Sequence, residues 1–581
     1  MLDCLRQWSL AVDARTLGLV RTRLMPYRAT VVEPLWRTAV DEQLDPSARL
    51  RVDCLLAGFD PGNERWAQIG ATVAFALLAA DPLEMDHWAS LLRPVAVQLI
   101  EPLRQVFSAP SGKSSDRVAA ARILGQYADS ALLGQLLLAA DASQYPMLLP
   151  RASSEAAALT PALVDAVRRD DADDLNPASL CGVERRRNAA IALMHLGQAQ
   201  HVWPLLAASK NPTLRTMLIL DMHPFGVPPG VLVAGWNAND DPTVRQAIAL
   251  AVEPYRGHGL PERMEKRVVD YCLAALKGPQ QAERSAAQWL LTRWGRTEQV
   301  EETLRSLAGQ SKGDWQTTRQ GHVLRVFRGP VTFIMGSPDD ESGREPREVR
   351  RPRTVPRSFA VGIQPVTVEE YQRFHADAVY ARDVTPDRHC PMSNLTWLDA
   401  VRYCRWLSEQ EGIPEEQMCY PPVGKIGPDL VLSSQLFSRT GYRLPTEVEW
   451  EFACRAKAET RWFCGANEDH LQHFAWFALN SQERLWPVGM LRPNAFGFFD
   501  MGGNVGQWCH NALADPDLYE DAPPTEVIGL KGEPVGQTSH AFRGGGYQRT
   551  SKRLRSAQRY YFSLPSGFSY SGFRIARTLS E

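Results

Sequence analysis

The sequence predicts two folds in one chain. An all-helical repeat region is expected over residues 1–308 and a mixed α+β domain over 330–581, with a polar stretch at 309–329 between them. Three observations carry this. The first half is rich in Ala, Leu and Arg, with apolar residues at helical spacing. Within it a short pattern recurs. Beyond Gly309 the composition turns to Gly, Pro and Trp, with short strand-like runs, loops and few helices. At 581 residues the chain is also too long for one core.

The recurring segments are DPSARLRVDCLLAGF (Asp45–Phe59), SSDRVAAARILGQYA (Ser114–Ala128), VERRRNAAIALMHLG (Val183–Gly197), NPTLRTMLILDMHPFG (Asn211–Gly226), DPTVRQAIALAVEPY (Asp241–Tyr255) and QAERSAAQWLLTRWG (Gln281–Gly295). Each runs from a polar or Asp/Asn-Pro entry through an Arg to an Ala/Leu stripe. Such an entry starts a helix, because Asp or Asn caps the free N–H groups and Pro fits the first turn. Arg187, Arg215 and Arg245 stand 28 and 30 residues apart, and Arg49, Arg117 and Arg187 stand 68 and 70 apart. The period resembles that of HEAT-like repeats, paired helices stacked into a solenoid. An irregular helical domain is the alternative. Stacks of this kind scaffold or bind partner proteins, and this half shows no catalytic constellation.

A net charge of −2 excludes a chain-wide nucleic-acid coat or membrane-surface protein. No apolar run reaches spanning length, and MLDCLRQWSLAVDART lacks the layout of a secretory signal. Ten cysteines without a CxxC pair are expected to be reduced, in a cytoplasmic protein. His470 and His473 lie three apart with no third ligand nearby, so a short surface helix is expected there rather than a metal site.

In the second half, Gly309–His322 reads as a linker or as the opening of the next domain. Helices are expected at Thr367–Asp377, Trp397–Gln410 and Thr446–Ala456, the last with a capping box from Thr446 and Glu449. Six segments follow one another: FIMGSPDDESGRE (Phe333–Glu345), PRSFAVGIQPVTVEEYQRF (Pro356–Phe374), PMSNLTWLDAVRYCRWLS (Pro391–Ser408), GYRLPTEVEWEFACRA (Gly441–Ala456), PNAFGFFDMGGNVGQWC (Pro493–Cys509) and the closing RGGGY…LRSAQR…GFRIAR. In this order they resemble the formylglycine-generating, or sulfatase-modifying factor, family over residues 320–579. The resemblance implies a compact α+β domain of the C-type-lectin-like kind. A helical region ending in a segment like SAAQWLLTRWG before such a domain also resembles bacterial multidomain proteins that carry a protein kinase. This chain has no kinase Gly-rich loop, HRD or DFG.

Members that make formylglycine use two cysteines in the segment after RGGS[YW], whose thiolates bind copper(I) and activate oxygen. Here that segment, Tyr547 to Leu554, is thiol-free, and the last cysteine is Cys509. Arg, Ser or Thr cannot replace a thiolate as a soft ligand, so no copper is expected and no catalytic residue is carried over. Cys404, Cys454 and Cys509 match ordinary family positions and are expected in the core. Another branch joins a thiol to histidine betaine with non-haem iron and a His-rich helical domain. The N-terminal half has no HxxxHxE pattern, and that activity is not expected.

The family's calcium loop resembles [DN]-x-x-G-N-[AV]-W-E-W. Its counterparts here are Asp500, Gly503, Val505 and Gln507. Gly506-Gln507 replaces Trp-Glu, so a charged ligand becomes a neutral amide, and weak Ca2+ binding or none is expected. Otherwise Asp500 and Asn504 tie the loop by hydrogen bonds. A second calcium position near His473–Phe477 carries Trp476 where Asn is expected.

Arg543 to Arg577 contains no acidic residue. Between its anchors it mixes aromatic residues with Ser, Gly and Arg, the composition of antibody-like contact surfaces. It also resembles the variable segments of lectin-fold proteins diversified by bacterial retroelements. The expected ligand-binding surface is Gln548, Arg549, Ser551, Lys552, Tyr560, Tyr561, Phe562, Ser563, Phe568 and Tyr570, with Tyr547 and Phe573 in the core. Eight basic residues among aromatics also suit a nucleic-acid strand, but Arg543, Arg555, Arg559 and Arg574 sit on family anchors and are expected in internal ion pairs. The expected function is recognition of a protein or peptide ligand on a helical scaffold, in a defence or signalling setting. An oxygen-dependent oxidoreductase of the family with a different mechanism is the alternative.

Overall fold

The computed structural model describes residues 12–41, 44–169, 180–513, 534–564 and 566–580. All six recurring segments are helical, at Pro46–Phe59, Ser114–Tyr127, Leu180–His195, Thr213–Asp221, Pro242–Val252 and Gln281–Arg293. The Asp-Pro entries cap as expected: Asp45 accepts from the Ser47 and Ala48 amides, and Asp241 from the Thr243 amide. The recurring arginine also has a structural role. Arg117 donates to the Phe107 carbonyl at 3.5 Å and Arg215 to Leu206 at 2.8 Å, while Arg49 reaches Asp41 and Arg284 reaches Leu276. In the third segment the neighbouring Arg186, not Arg187, makes this contact, to Val167 at 3.3 Å, and Arg187 donates to Asn188 Oδ1 at 3.0 Å. Each backbone carbonyl lies at or just past the end of the preceding helix. There the last C=O groups lack partners and the negative end of the dipole favours a cation.

By contact the chain divides into two units. One holds the described residues up to Arg169 with Glu184–His201 and Pro224–Val227. In it, the helix Ala96–Ser108 packs against both Trp66–Leu78 and Ser114–Tyr127. Tyr145 meets Phe225 edge-on at 5.2 Å and donates to the Asn188 carbonyl at 3.1 Å.

The other unit holds Val202–His223 and the residues from Pro228 on. It joins the later helices to the sheet domain through buried polar contacts. Thr216 donates to the Cys464 carbonyl at 2.7 Å, Gln246 to Asn494 at 2.8 Å, Ser285 to Gly497 at 2.6 Å and Trp289 to Met490 at 3.1 Å. A Cβ at Gly497 would lie 2.8 Å from the Gln281 carbonyl, so only glycine permits this approach. Residue 308 therefore marks a change of secondary structure, and packing runs across it.

Twelve strands are described in this unit: β1 (Ser311–Lys312), β2 (Trp315–Thr317), β3 (Val323–Phe327), β4 (Val331–Met335), β5 (Arg351–Val355), β6 (Phe359–Gly362), β7 (Tyr442–Arg443), β8 (Gly506–Ala512), β9 (Ser539–Arg543), β10 (Arg559–Ser563), β11 (Ser571–Phe573) and β12 (Ala576–Thr578). They form sheets in the orders β1-β2-β3-β6-β12-β7, β10-β9-β8-β11 and β4-β5. The polar stretch after Gly309 is thus the opening of this domain, since β1 and β2 pair onto β3. The three expected helices form at Val368–Phe374, Trp397–Gln410 and Glu447–Arg455, each with a capping box, from Thr367, Thr396 and Thr446.

Strand alternation sorts the β10-β9-β8-β11 sheet into two faces. Trp508, Phe542, Tyr560 and Phe562 share one face and pack into the core with Trp397, Tyr403 and Phe573. Gln507, Arg543, Arg559 and Tyr561 share the other, against the helix Glu447–Arg455.

Candidate ligand-recognition surface

The anchors of the closing segment are internal. Arg543 is fully buried, pairs with Glu451 and donates to the Ala557 carbonyl at 2.9 Å. Arg555 pairs with Glu348 at 2.6 Å and Glu341 at 2.7 Å. Arg559 lies 3.7 Å from both Glu447 and Glu451. Arg574 donates to the Gly362 carbonyl at 2.7 Å, Phe499 at 2.9 Å and Gln507 Oε1 at 2.6 Å. Burial acts to raise the Glu451 carboxyl, but Arg455, Arg543 and Arg559 outweigh it and hold it at about 2. The four arginines are therefore spent on the fold.

Between the anchors the residues divide. Gln548, Lys552 and Ser563 are exposed, and Arg549, Tyr560, Tyr561, Phe562, Phe568 and Tyr570 are half-buried. Ser551 is a correction to the expected surface. It is buried at the start of the short turn Ser551–Leu554, its hydroxyl donates to Glu468, and its carbonyl accepts from Trp462 Nε1 at 3.0 Å. Tyr561 is tied by its hydroxyl, which donates to Glu447 at 2.7 Å. Phe562 packs on Phe542 at 5.5 Å and Phe568 at 4.6 Å, and Phe568 stacks on Tyr570 at 5.5 Å. Arg549 lies 4.7 Å over the Tyr570 ring and donates to its hydroxyl. Tyr547 and Phe573 are core residues.

Sequence reasoning missed a neighbouring strip. Trp486 stacks on Trp476 at 4.6 Å, and the Arg484 guanidinium lies 3.9 Å from the Trp486 ring. All three are half-buried. The Ala478 amide donates to the Arg549 carbonyl at 3.0 Å, which sets this strip beside the closing segment. The sequence signal was only two tryptophans ten residues apart. Asn504 joins them, because its amide donates to the Trp476 carbonyl at 2.7 Å and its side chain brackets the Trp486 backbone.

The calcium-loop residues do not fit the ion. Asp500 Oδ2 accepts from the Gly489 amide at 2.9 Å and Oδ1 from Asn504 at 3.1 Å. Gln507 Oε1 accepts from Trp450 at 2.7 Å and Arg574 at 2.6 Å, and its Nε2 donates to the Asp500 carbonyl at 2.7 Å and the Val505 carbonyl at 3.4 Å. The Gly503 amide closes onto Gly544 at 2.8 Å. Burial raises the Asp500 carboxyl, which disfavours its charged form. The loop presents one carboxylate and a guanidinium where a hard cation needs several free anionic oxygens. Among the described residues no group of three or more His, Cys, Asp or Glu is placed to hold a metal.

Cys404, Cys454 and Cys509 are buried, and burial raises all three thiols, Cys454 to about 12. Such thiols are poor nucleophiles and poor metal ligands.

Residues 310–579 match the Sulfatase-modifying factor enzyme 1-like domain, FGE-sulfatase. The formylglycine-generating enzyme of Streptomyces coelicolor is 26% identical over 210 residues, 33% of this chain and 54% of that enzyme. Serine/threonine-protein kinase pkn1 of Chlamydia caviae is 33% identical over 276 residues, 43% of this chain and 37% of the kinase. The structure of PvdO from Pseudomonas aeruginosa aligns with TM-score 0.36 and 24% identity, covering 45% of this chain and 96% of PvdO. The chain spans about half the length, or less, of these two curated relatives. With the six motifs in order and the α+β core around them, residues 310–579 form a domain of the sulfatase-modifying factor family.

Proposed function

We propose that this domain recognises a protein or peptide ligand and does not carry out thiolate–copper oxidation. One observation carries the reading. The segment that holds the thiols in formylglycine-generating members here presents Gln548, Arg549 and Lys552, with Arg549 over the Tyr570 ring of the stacked Phe568–Tyr570 pair, and the described cysteines all lie outside it. Aromatic rings with Arg and small polar residues give contact area at low entropic cost. The helical region, read as HEAT-like repeats, acts as a scaffold that can hold further partners. Among the described residues no helix is long and apolar enough to cross a membrane, and the described cysteines are free. Both support a cytoplasmic setting.

The test supplies the full chain with copper(I), oxygen and a cysteine-containing peptide. The peptide is expected to keep its mass. Formation of an aldehyde product would refute the recognition reading.

A further inference from the structure

We propose that the outer edge of β10 receives an extended acidic peptide as an added strand. The proposal rests on the recognition reading above and names its ligand class. β10 ends its sheet, pairing on one side with β9 from Arg559↔Arg543 to Ser563↔Ser539. Among the described residues, no backbone group bonds to the other side of residues 559–562. The opposite margin of the same sheet is closed, because the Leu395 amide donates to Ser571 on β11 at 3.1 Å and the Val366 amide to Phe573 at 3.0 Å.

Open edges are normally blunted by Lys, Pro, a bulge or a cover. β10 reads Arg-Tyr-Tyr-Phe-Ser, and its register with β9 is unbroken, whereas β8 and β9 shift register between Trp508 and Ala512. Both faces of the sheet are occupied, one by the aromatic core and one by the helix Glu447–Arg455. What remains is a row of N–H and C=O groups, in which the Arg559 carbonyl takes the Gln558 side-chain amide at 3.4 Å, and an extended peptide matches such a row directly.

Charge then selects the sign of the peptide. Arg347 lies 5.6 Å from the Tyr561 ring and Arg553 lies 5.9 Å from Tyr560. Arg347, Lys552 and Arg553 are exposed. Glu345 pairs with Arg553 at 2.8 Å, which leaves Arg347 and Lys552 without an acidic partner among the described residues. A nucleic-acid strand would meet the same cations but lacks the alternating donors and acceptors that fit a strand edge.

The test uses the full chain and fluorescent peptides of alternating Val and Glu, about seven residues long, the length of an ordinary strand. Matched peptides carry Lys for Glu, or N-methyl groups on every second residue in either phase. The Glu peptide is expected to bind at least about tenfold tighter than the Lys peptide, a gap of about 1.4 kcal/mol. One phase of N-methylation should weaken it at least about tenfold while the other does not. The double variant Arg347→Glu, Lys552→Glu changes only exposed side chains and should weaken it similarly. Equal tolerance of both methylation phases, no binding at about 1 mM, stronger competition by oligo-dT, or occupation of the edge by a second copy of the chain would each overturn the proposal. None of these results yields an aldehyde, so strand addition and the recognition reading fail separately.

Discussion

Glu451→Gln tests whether the arginine anchors hold the domain together. Glu451 Oε1 accepts from the Gly336 amide and from Arg455, each at 2.8 Å, while Oε2 meets Arg543 and lies 3.7 Å from Arg559. These side chains are almost fully buried. The carboxyl stands at about 2 against an ordinary 4.5. At 1.36 kcal/mol per pH unit, that difference corresponds to about 3 kcal/mol of stabilisation. Breaking a buried pair from one side costs about 3–5 kcal/mol by a separate route. The folded pKa is depressed, so this stability is present above about pH 4.5 and is lost as pH falls towards 2. Glu451→Gln should therefore lower the opening free energy of the 447–455 and 539–543 segments by about 3 kcal/mol at pH 7. The gap to the natural chain should narrow from pH 4.5 downward, because protonated Glu451 is then neutral like Gln. Hydrogen exchange read by mass spectrometry, corrected for the intrinsic rate at each pH, gives both quantities. A loss under about 1 kcal/mol at pH 7, or a gap unchanged at about pH 3, would refute the argument.

Three further outcomes follow from the same structure. Ser285→Ala leaves the buried Gly497 carbonyl without its 2.6 Å partner and should cost about 1–3 kcal/mol in denaturant unfolding of the second unit, whereas a neutral effect would mean that helix and loop are not tied there. Gly506→Ala would set a Cβ 2.2 Å from the Phe542 ring and 2.4 Å from the Gly545 carbonyl, so a loss of about 3 kcal/mol is expected, seen as a lower melting temperature. Calcium up to about 10 mM should leave the melting temperature unchanged, and a rise of several degrees would show an ion held by the Asp500 loop.

The parts legible in the sequence are those set by contacts near in the chain or by one requirement met locally. Thr446 with Glu449, and the Asp-Pro entries at Asp45 and Asp241, announce helix starts because a cap and its amide lie within three residues. The internal role of Arg543, Arg555 and Arg559 was legible too, since an acid-free segment must find its carboxylates elsewhere, here on Glu341, Glu348, Glu447 and Glu451. Arg574, expected in an ion pair as well, is buried on backbone carbonyls and the Gln507 amide oxygen instead. The recurring arginines were visible as a pattern without a purpose. The targets of Arg49, Arg117, Arg215 and Arg284 are carbonyls at or just past the end of the preceding helix, and a carbonyl has no residue identity to read. The same reason hides the joint between Gln246 or Ser285 and the sheet domain, where the acceptors are the Asn494 and Gly497 backbones.

The candidate surface shows most clearly where composition stops being informative. Ser551 and Ser563 sit in the same aromatic, basic segment, yet one is buried against Glu468 and the other is exposed. The difference arises from a turn at 551–554 and from the position of 563 at the end of β10. Tyr560 and Tyr561 are adjacent and chemically identical, but strand alternation sends one to the aromatic face and the other to Glu447. Side-chain identity therefore indicates what kind of ligand the segment could meet, while the backbone decides which groups meet it. That is why the strand edge, which composition does not encode, is the sharper place to look for the partner.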